Sequence, residues 1–420
     1  MSQTGSGQAG KTGPDEERVT EKQASPTPRE HHWDMLRAAL MLLGIPFHVF
    51  MSYRAGQVWI VQSGEGAAAY TYAAEFIHLF RMPAFFVVAG YFAALLLARR
   101  EAGAWLKGRM TRLAIPFVTC LLLLNPVMNL FCELSVYPPA QAWRSFLYNS
   151  ATSGGYWVRH LWFIIVLLYF CAIAALCVKA RPSWKAAVLP ARIDRRLARR
   201  LLPVLVAVAL ATGLWEAVAV EAFYMAGLAT NLPQQILRLD EVIQYAPWFL
   251  MGVVLARAPM MREELYRFSA PMAAIAALAT GASLILMGHL GPMQGRFLAT
   301  IAALFLTQCA IAACKQLADR PHRPVMRLVD ASFAIYLFHM PVIIGLVLAG
   351  KYLAMPLGLK AGLVLAAAFA LSWGAWAVVS RSRILLFLFD GRTQVRGAGA
   401  IPPSPVLYPY RRCDPRPSLP

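Results

Sequence analysis

Residues 160–178 read HLWFIIVLLYFCAIAALCV, nineteen positions without an Asp, Glu, Lys or Arg. At ~1.5 Å per residue a helix of this length reaches about 29 Å, the depth of a bilayer's hydrocarbon layer. The run is apolar on every side, which suits lipid rather than the stripe of a surface helix. Working outward, similar runs lie near 35–51, 74–98, 113–130, 201–220, 242–256, 270–288, 296–313, 331–348 and 362–380. The expected fold is all-α, a polytopic transmembrane helix bundle of about ten helices. Composition agrees: 59% of the 420 residues are hydrophobic and 15% charged, more apolar surface than a soluble chain of this length can bury.

A net charge of +19 raises the question of nucleic acid, but the positions of the charges answer it. With the N-terminus placed inside, the tail and the inner connections (99–112, 179–200, 257–269, 314–330 and 381–420) hold 31 of the 40 Lys and Arg, and the outer connections hold 6. Arg37, Arg81 and Arg296 fall within segments or at their edges. This bias predicts that both termini are cytoplasmic and assigns the basic excess to topology and anionic lipid. No nucleic-acid partner is expected.

Three regions follow: a polar, disordered cytoplasmic tail over 1–30, a transmembrane domain over 31–385, and a Pro/Arg-rich cytoplasmic tail over 386–420. No cleavable signal is read ahead of the first segment. The seven cysteines form no CxxC pair and read as small buried hydrophobes.

Ionisable groups inside a membrane segment cost free energy and mark function by default. The first segment opens His31-His32-Trp33-Asp34-Met35-Leu36-Arg37 and carries His48. Eleven residues is about three helical turns, so Arg37 and His48 are expected on nearly one stripe, about 16 Å apart along the axis. Asp34 shares that face and is placed to pair with Arg37. In the second segment Glu75, His78 and Arg81 step by three along one side, and Pro83 frees backbone groups that must face protein or water. Ala89 and Gly90 close the run Phe85–Val88 with small residues that permit close helix approach.

Arg109 and Arg112, three apart on the incoming third helix, present one face to a phosphate. His160 heads the fourth segment, while Ser332, Tyr336 and His339 share a face of the ninth. The role of Glu216 in the fifth segment stays open. There is no Walker loop, no GxGxxG, HExxH or GxSxG, and no metal-ligand spacing, so no metal site is expected.

Taken in order, Asp34-Met35-Leu36-Arg37 with Arg-x10-His to His48, Phe80-Arg81-Met82-Pro83 through Gly90, Arg109-x-x-Arg112 leading into Leu113-Ala114-Ile115-Pro116-Phe117, His160-Leu161-Trp162-Phe163, and Ser332 to Pro341 resemble the acyltransferase-3 family of membrane O-acyltransferases. They are most similar to the branch that decorates periplasmic glucans. The likeness covers nearly all of 30–385. It implies transfer of an acyl group, succinyl or acetyl, from cytoplasmic acyl-CoA to a hydroxyl of a periplasmic or cell-surface glycan, in a bacterial inner membrane. On that likeness His48 is the catalytic base, Arg37 and the Arg109/Arg112 pair hold the donor, and Asp34 orients Arg37. Arg81, His78, Glu75, His160, Tyr336 and His339 become expected substrate contacts. Acyl-CoA is then a substrate, and no permanently bound cofactor is expected. Two departures stand out: Ala89 occupies a position where many members carry Ser, and the likeness does not extend to the longer members with a further soluble domain. The competing readings are a transporter or flippase for a glycan or anionic substrate, and a polysaccharide-assembly partner without chemistry of its own.

Overall fold

The structure is a computed structural model that describes residues 30–56, 59–228, 232–318 and 323–393. The expected tails over 1–30 and 386–420 therefore lie almost wholly outside the described residues. In chain order the helices are α1 (His31–Leu42), α2 (Gly44–Ser52), α3 (Ala68–Leu97), α4 (Ala102–Leu134), α5 (Pro139–Thr152), α6 (Gly154–Val158), α7 (Trp162–Ala180), α8 (Ala191–Arg199) and α9 (Leu201–Trp215). A π-turn over Glu216–Val220 leads into α10 (Glu221–Met225), then α11 (Leu232–Leu237), α12 (Leu239–Arg257), α13 (Pro259–Leu265), α14 (Ala270–Ile285), α15 (Pro292–Leu317), α16 (Arg323–Gly350), α17 (Leu357–Val379) and α18 (Arg383–Asp390).

Among the described residues nine helical stretches, with α1 and α2 taken as one, are long and apolar enough to span a membrane. A tenth is reached only if α13 and α14, bent by 70°, count as one span. The expected segment at 270–288 is this α14, whose 16 residues cover about 24 Å. The sequence reading stopped other helices too early. Helix α4 runs past 113–130 at both ends, and the connection 131–159 contains a further helix, α5. The boundary at residue 385 cuts through α18.

Where the backbone turns, identifiable groups do the turning. Pro46 has no N–H to return to Leu42, so one bond is missing between α1 and α2, while the bonds from Leu43 to Ala39 and from Phe47 to Leu43 carry the ladder across. Glu101 caps α4 by accepting from the Gly103 and Ala104 amides at 2.8 and 2.6 Å. Those backbone bonds hold its carboxyl below the usual glutamate range. Arg238 enters α12 in the left-handed region (φ 52°) and pairs with Glu241 and Asp240.

Lipid offers little hydrophobic drive for joining helices, so close packing has to do it. Helices α3 and α12 cross where Gly90 and Gly252 face each other's backbone. A Cβ on Gly252 would stand 1.9 Å from the Val87 carbonyl oxygen, and one on Gly90 2.0 Å from that of Phe249. Around the crossing Phe86 stacks on Tyr245 at 4.7 Å, and Phe170 on Phe249 at 4.8 Å. Gly252→Val is therefore expected to force the two helices apart, costing about 3 kcal/mol. Thermal unfolding in detergent checks it; an unchanged midpoint would show that the crossing is not tight.

The two ends of the bundle differ. At one, Glu30 accepts from Tyr91 and pairs with Arg262 at 3.6 Å, and the Trp33 indole donates to Tyr266 at 2.8 Å. This basic end also carries α8 and α18. At the opposite end Lys351 bonds the Ser135 carbonyl and Lys360 bonds Glu65.

Candidate active site

Between the two ends, α2, α3, α16 and the turn before α7 enclose a cavity of about 210 Å³. Helix α2 contributes Phe47 and His48. One turn apart on α3, His78 and Arg81 both address the Phe47 ring: His78 stacks on it at 5.5 Å, and the Arg81 guanidinium lies over it at 4.8 Å. Helix α16 brings Tyr336 and His339. The Tyr336 hydroxyl donates to the His160 carbonyl, which ties the start of α7 to α16. The rings of His160 and His339 meet edge to face at 5.7 Å, and those of His48 and His339 lie 5.2 Å apart. Trp59 closes the other side of His48, stacked at 5.2 Å and 16°.

Gly44 makes this gathering possible. A Cβ there would lie 3.2 Å from Nη1 of Arg81 and 3.3 Å from Nε2 of His339, so a larger residue would press on both.

Two properties of the cavity decide its chemistry. Its lining includes Arg81, Arg159, His48, His78 and His160 but no carboxylate. Among the described residues, neither arginine is ion-paired with an acid. Several buried polar atoms also have no partner: Nδ1 of His48, Nε of Arg81 and Nε2 of His339. Such atoms are costly unless a ligand completes them. The arrangement offers an imidazole able to take a proton beside a guanidinium able to face a negative oxygen.

The other expected residues lie elsewhere. Arg37 pairs with Asp34 at 3.6 Å and lies over Phe92 at the basic end. Arg109 and Arg112 come within electrostatic reach of it, so the three arginines form one group, separate from His48. Arg112 reaches Asp390 of α18 at 3.4 Å, and Asp390 is also ion-paired with Arg392 at 2.9 Å. Burial pushes the Asp390 carboxyl above the usual aspartate range, against the pull of these two cations. Arg37 at the basic end and His48 in the cavity thus stand at two places along the one α1–α2 span. Glu75 does not share the cavity with His78 and Arg81; it pairs with Arg54 at 3.6 Å. Ser332 bonds the Val329 carbonyl within its own helix. Glu216 accepts from the Trp248 indole at 2.6 Å, outside the cavity. Sequence reasoning passed over Trp59 and Arg159, which lie in connections with no periodic pattern to expose them.

The model of an acyltransferase domain, acyltransferase 3, matches residues 30–377. The chain belongs to this family. It is a multi-span membrane acyltransferase. Its relatives include the glucans biosynthesis protein C of Escherichia coli O6:K15:H31 (strain 536), 28% identical over 387 residues that cover 88% of this chain and 97% of that protein. The protein of the same name from Escherichia coli K12 is 27% identical over the same extent. No solved structure matches the chain. The family match spans both the arginine group at the basic end and the histidine-lined cavity.

Proposed function

We propose that this acyltransferase works across the membrane, taking an acyl group from acyl-CoA at its basic end and placing it on a glycan hydroxyl at the opposite end. One observation carries the reading: His48, with Nδ1 unpartnered, shares with Arg81 a cavity that has no carboxylate in its lining. The distribution of Lys and Arg supports a cytoplasmic basic end, with both termini on that side of a bacterial inner membrane. The name of the Escherichia coli relatives supports a periplasmic glucan or related surface polysaccharide as acceptor.

In this reaction the neutral His48 imidazole takes the proton of the acceptor hydroxyl as its oxygen attacks the thioester carbonyl carbon. The carbonyl oxygen becomes an oxyanion facing the Arg81 guanidinium. When the intermediate collapses, the carbon–sulfur bond breaks. The imidazolium proton leaves with the CoA thiolate, giving ester and free thiol. His160, His339, His78 and Tyr336 shape the chamber. A lining with only positive formal charge suits an acyl group ending in a carboxylate, such as succinyl, better than acetyl.

Arg37, Arg109 and Arg112 hold the phosphates of the donor, with Asp34 steadying Arg37. Asp390 does the same for Arg112. Behind it, Gly391 takes φ 63°, and a Cβ there would stand 2.5 Å from the Arg112 Cα. Gly391→Ala is expected to unseat α18 and raise KM for acyl-CoA about tenfold, leaving KM for the glycan unchanged. Steady-state kinetics varying each substrate in turn separates the two; a change confined to the glycan would refute the donor assignment.

The overall reading is tested by expressing the chain in a strain that makes periplasmic glucan but lacks its own acyltransferase. Mass spectrometry then looks for ester-linked acyl groups, with acyl-CoA consumption measured on purified protein. Glucan that stays unesterified while acyl-CoA is consumed would point to a different acceptor.

A further inference from the structure

Resting on the cross-membrane reading above, we infer that Arg159 forms a sugar-binding subsite on the acceptor side of the cavity and is a specificity residue of the enzyme. It is one of two arginines among the cavity's lining residues. Its backbone has φ 46° and ψ −129°, a conformation that suits glycine and costs free energy to a residue that carries a Cβ. The chain meets that cost in the turn that sets His160 into the cavity. A strained, non-glycine residue at such a place is held there by its surroundings.

Those surroundings are built. The Arg159 Nε donates to the Asn129 side-chain oxygen at 2.8 Å, and its guanidinium lies over the Tyr156 ring at 4.6 Å. Asn129 is fixed in turn by donating to the Tyr156 carbonyl at 2.7 Å. The Tyr156 hydroxyl donates to Glu133 at 3.0 Å, and Asn149 of α5 donates to the same carboxylate oxygen at 2.9 Å. This framework fixes the root and plane of the guanidinium through Nε. No contact is made to its two terminal nitrogens by any described carboxylate, so four N–H donors are left to address the cavity. The network joins the end of α4 to α5 and α6, opposite the basic end where the donor phosphates bind. A planar array of fixed donors at that end matches the vicinal hydroxyls of a pyranose ring.

The full-length protein in detergent tests this with a linear glucan oligosaccharide as probe. Binding is measured directly by calorimetry, and esterification separately, for wild type, Arg159→Ala, Arg159→Gly and Arg159→Lys. The expected result is that Ala and Gly weaken oligosaccharide binding to the same extent, about tenfold, with acyl-CoA KM unchanged and Lys intermediate. Gly should nonetheless unfold at a higher temperature than Ala, because only Gly relieves the backbone. If Arg159 were a structural brace alone, Gly would recover glucan binding along with stability, and the subsite would be wrong. Wild-type binding retained in Arg159→Ala overturns it as well. Oligosaccharide bound in an Arg159-dependent way but never esterified would leave the subsite standing and remove glucan as the acyl acceptor. A wild type that binds no glucan removes both.

Discussion

His48→Ala is expected to lower ester formation about a thousandfold while the protein folds as before. General-base catalysis by a placed imidazole is worth about 10²–10⁴ in rate, and nothing else at this position can replace it. Folding is spared because His48 makes no side-chain hydrogen bond within the protein; it contributes ring contacts with Trp59 and His339. His48→Gln keeps a polar group of similar volume and should be nearly as inactive, which separates loss of basicity from loss of packing. The measurement is single-turnover transfer to glucan, with thermal unfolding as control. Since His339 lies 5.2 Å away, the same assay on His339→Ala decides between the two rings. Should His339→Ala be inert and His48→Ala active, the base is on α16.

Arg81→Met is expected to give a more stable protein that is inactive. Arg81 is 7% exposed and has no acid beside it, so it bears a desolvation cost that the cation–π contact with Phe47 offsets only in part. An apolar chain of similar length removes that cost and is expected to gain about 2 kcal/mol in unfolding free energy. The same change removes the positive group facing the developing oxyanion, for a loss of about a hundredfold or more in turnover. Melting temperature and rate are thus predicted to move in opposite directions. A variant that melts lower and still turns over would make Arg81 a brace for Phe47 and His78.

Much of this was legible in the sequence because lipid imposes strict rules. A stretch such as 160–178 has almost one structural option, and His48, His78, Arg81 and His160 stood out as polar groups where polar groups are costly. Their meeting was also foreshadowed by the Tyr336–His339 face of the ninth segment. What the sequence did not convey was how the missing Cβ of Gly44 lets Arg81 and His339 come up against the start of α2. The periodicity that puts Arg37 and His48 on one stripe also puts them about 16 Å apart along the axis, and they serve two places, the basic end and the cavity. Glu75 stands one turn before His78 on α3, as the spacing by three implies, but outside the cavity, where it pairs with Arg54. Arg159 was out of reach altogether, since backbone dihedrals in a loop leave no periodic trace.

The two arginines and the absence of a carboxylate in the chamber's lining also bear on bioenergetics. If the enzyme takes one substrate from each face of the membrane, as proposed, it contains a path along which protons and sodium ions could short-circuit the gradient. Fixed guanidinium charge with no neutralising acid raises a barrier to any cation entering that path, the same device that keeps narrow pores from conducting protons. Arg81 and Arg159 would then insulate the membrane in the intervals between turnovers, when no substrate fills the chamber.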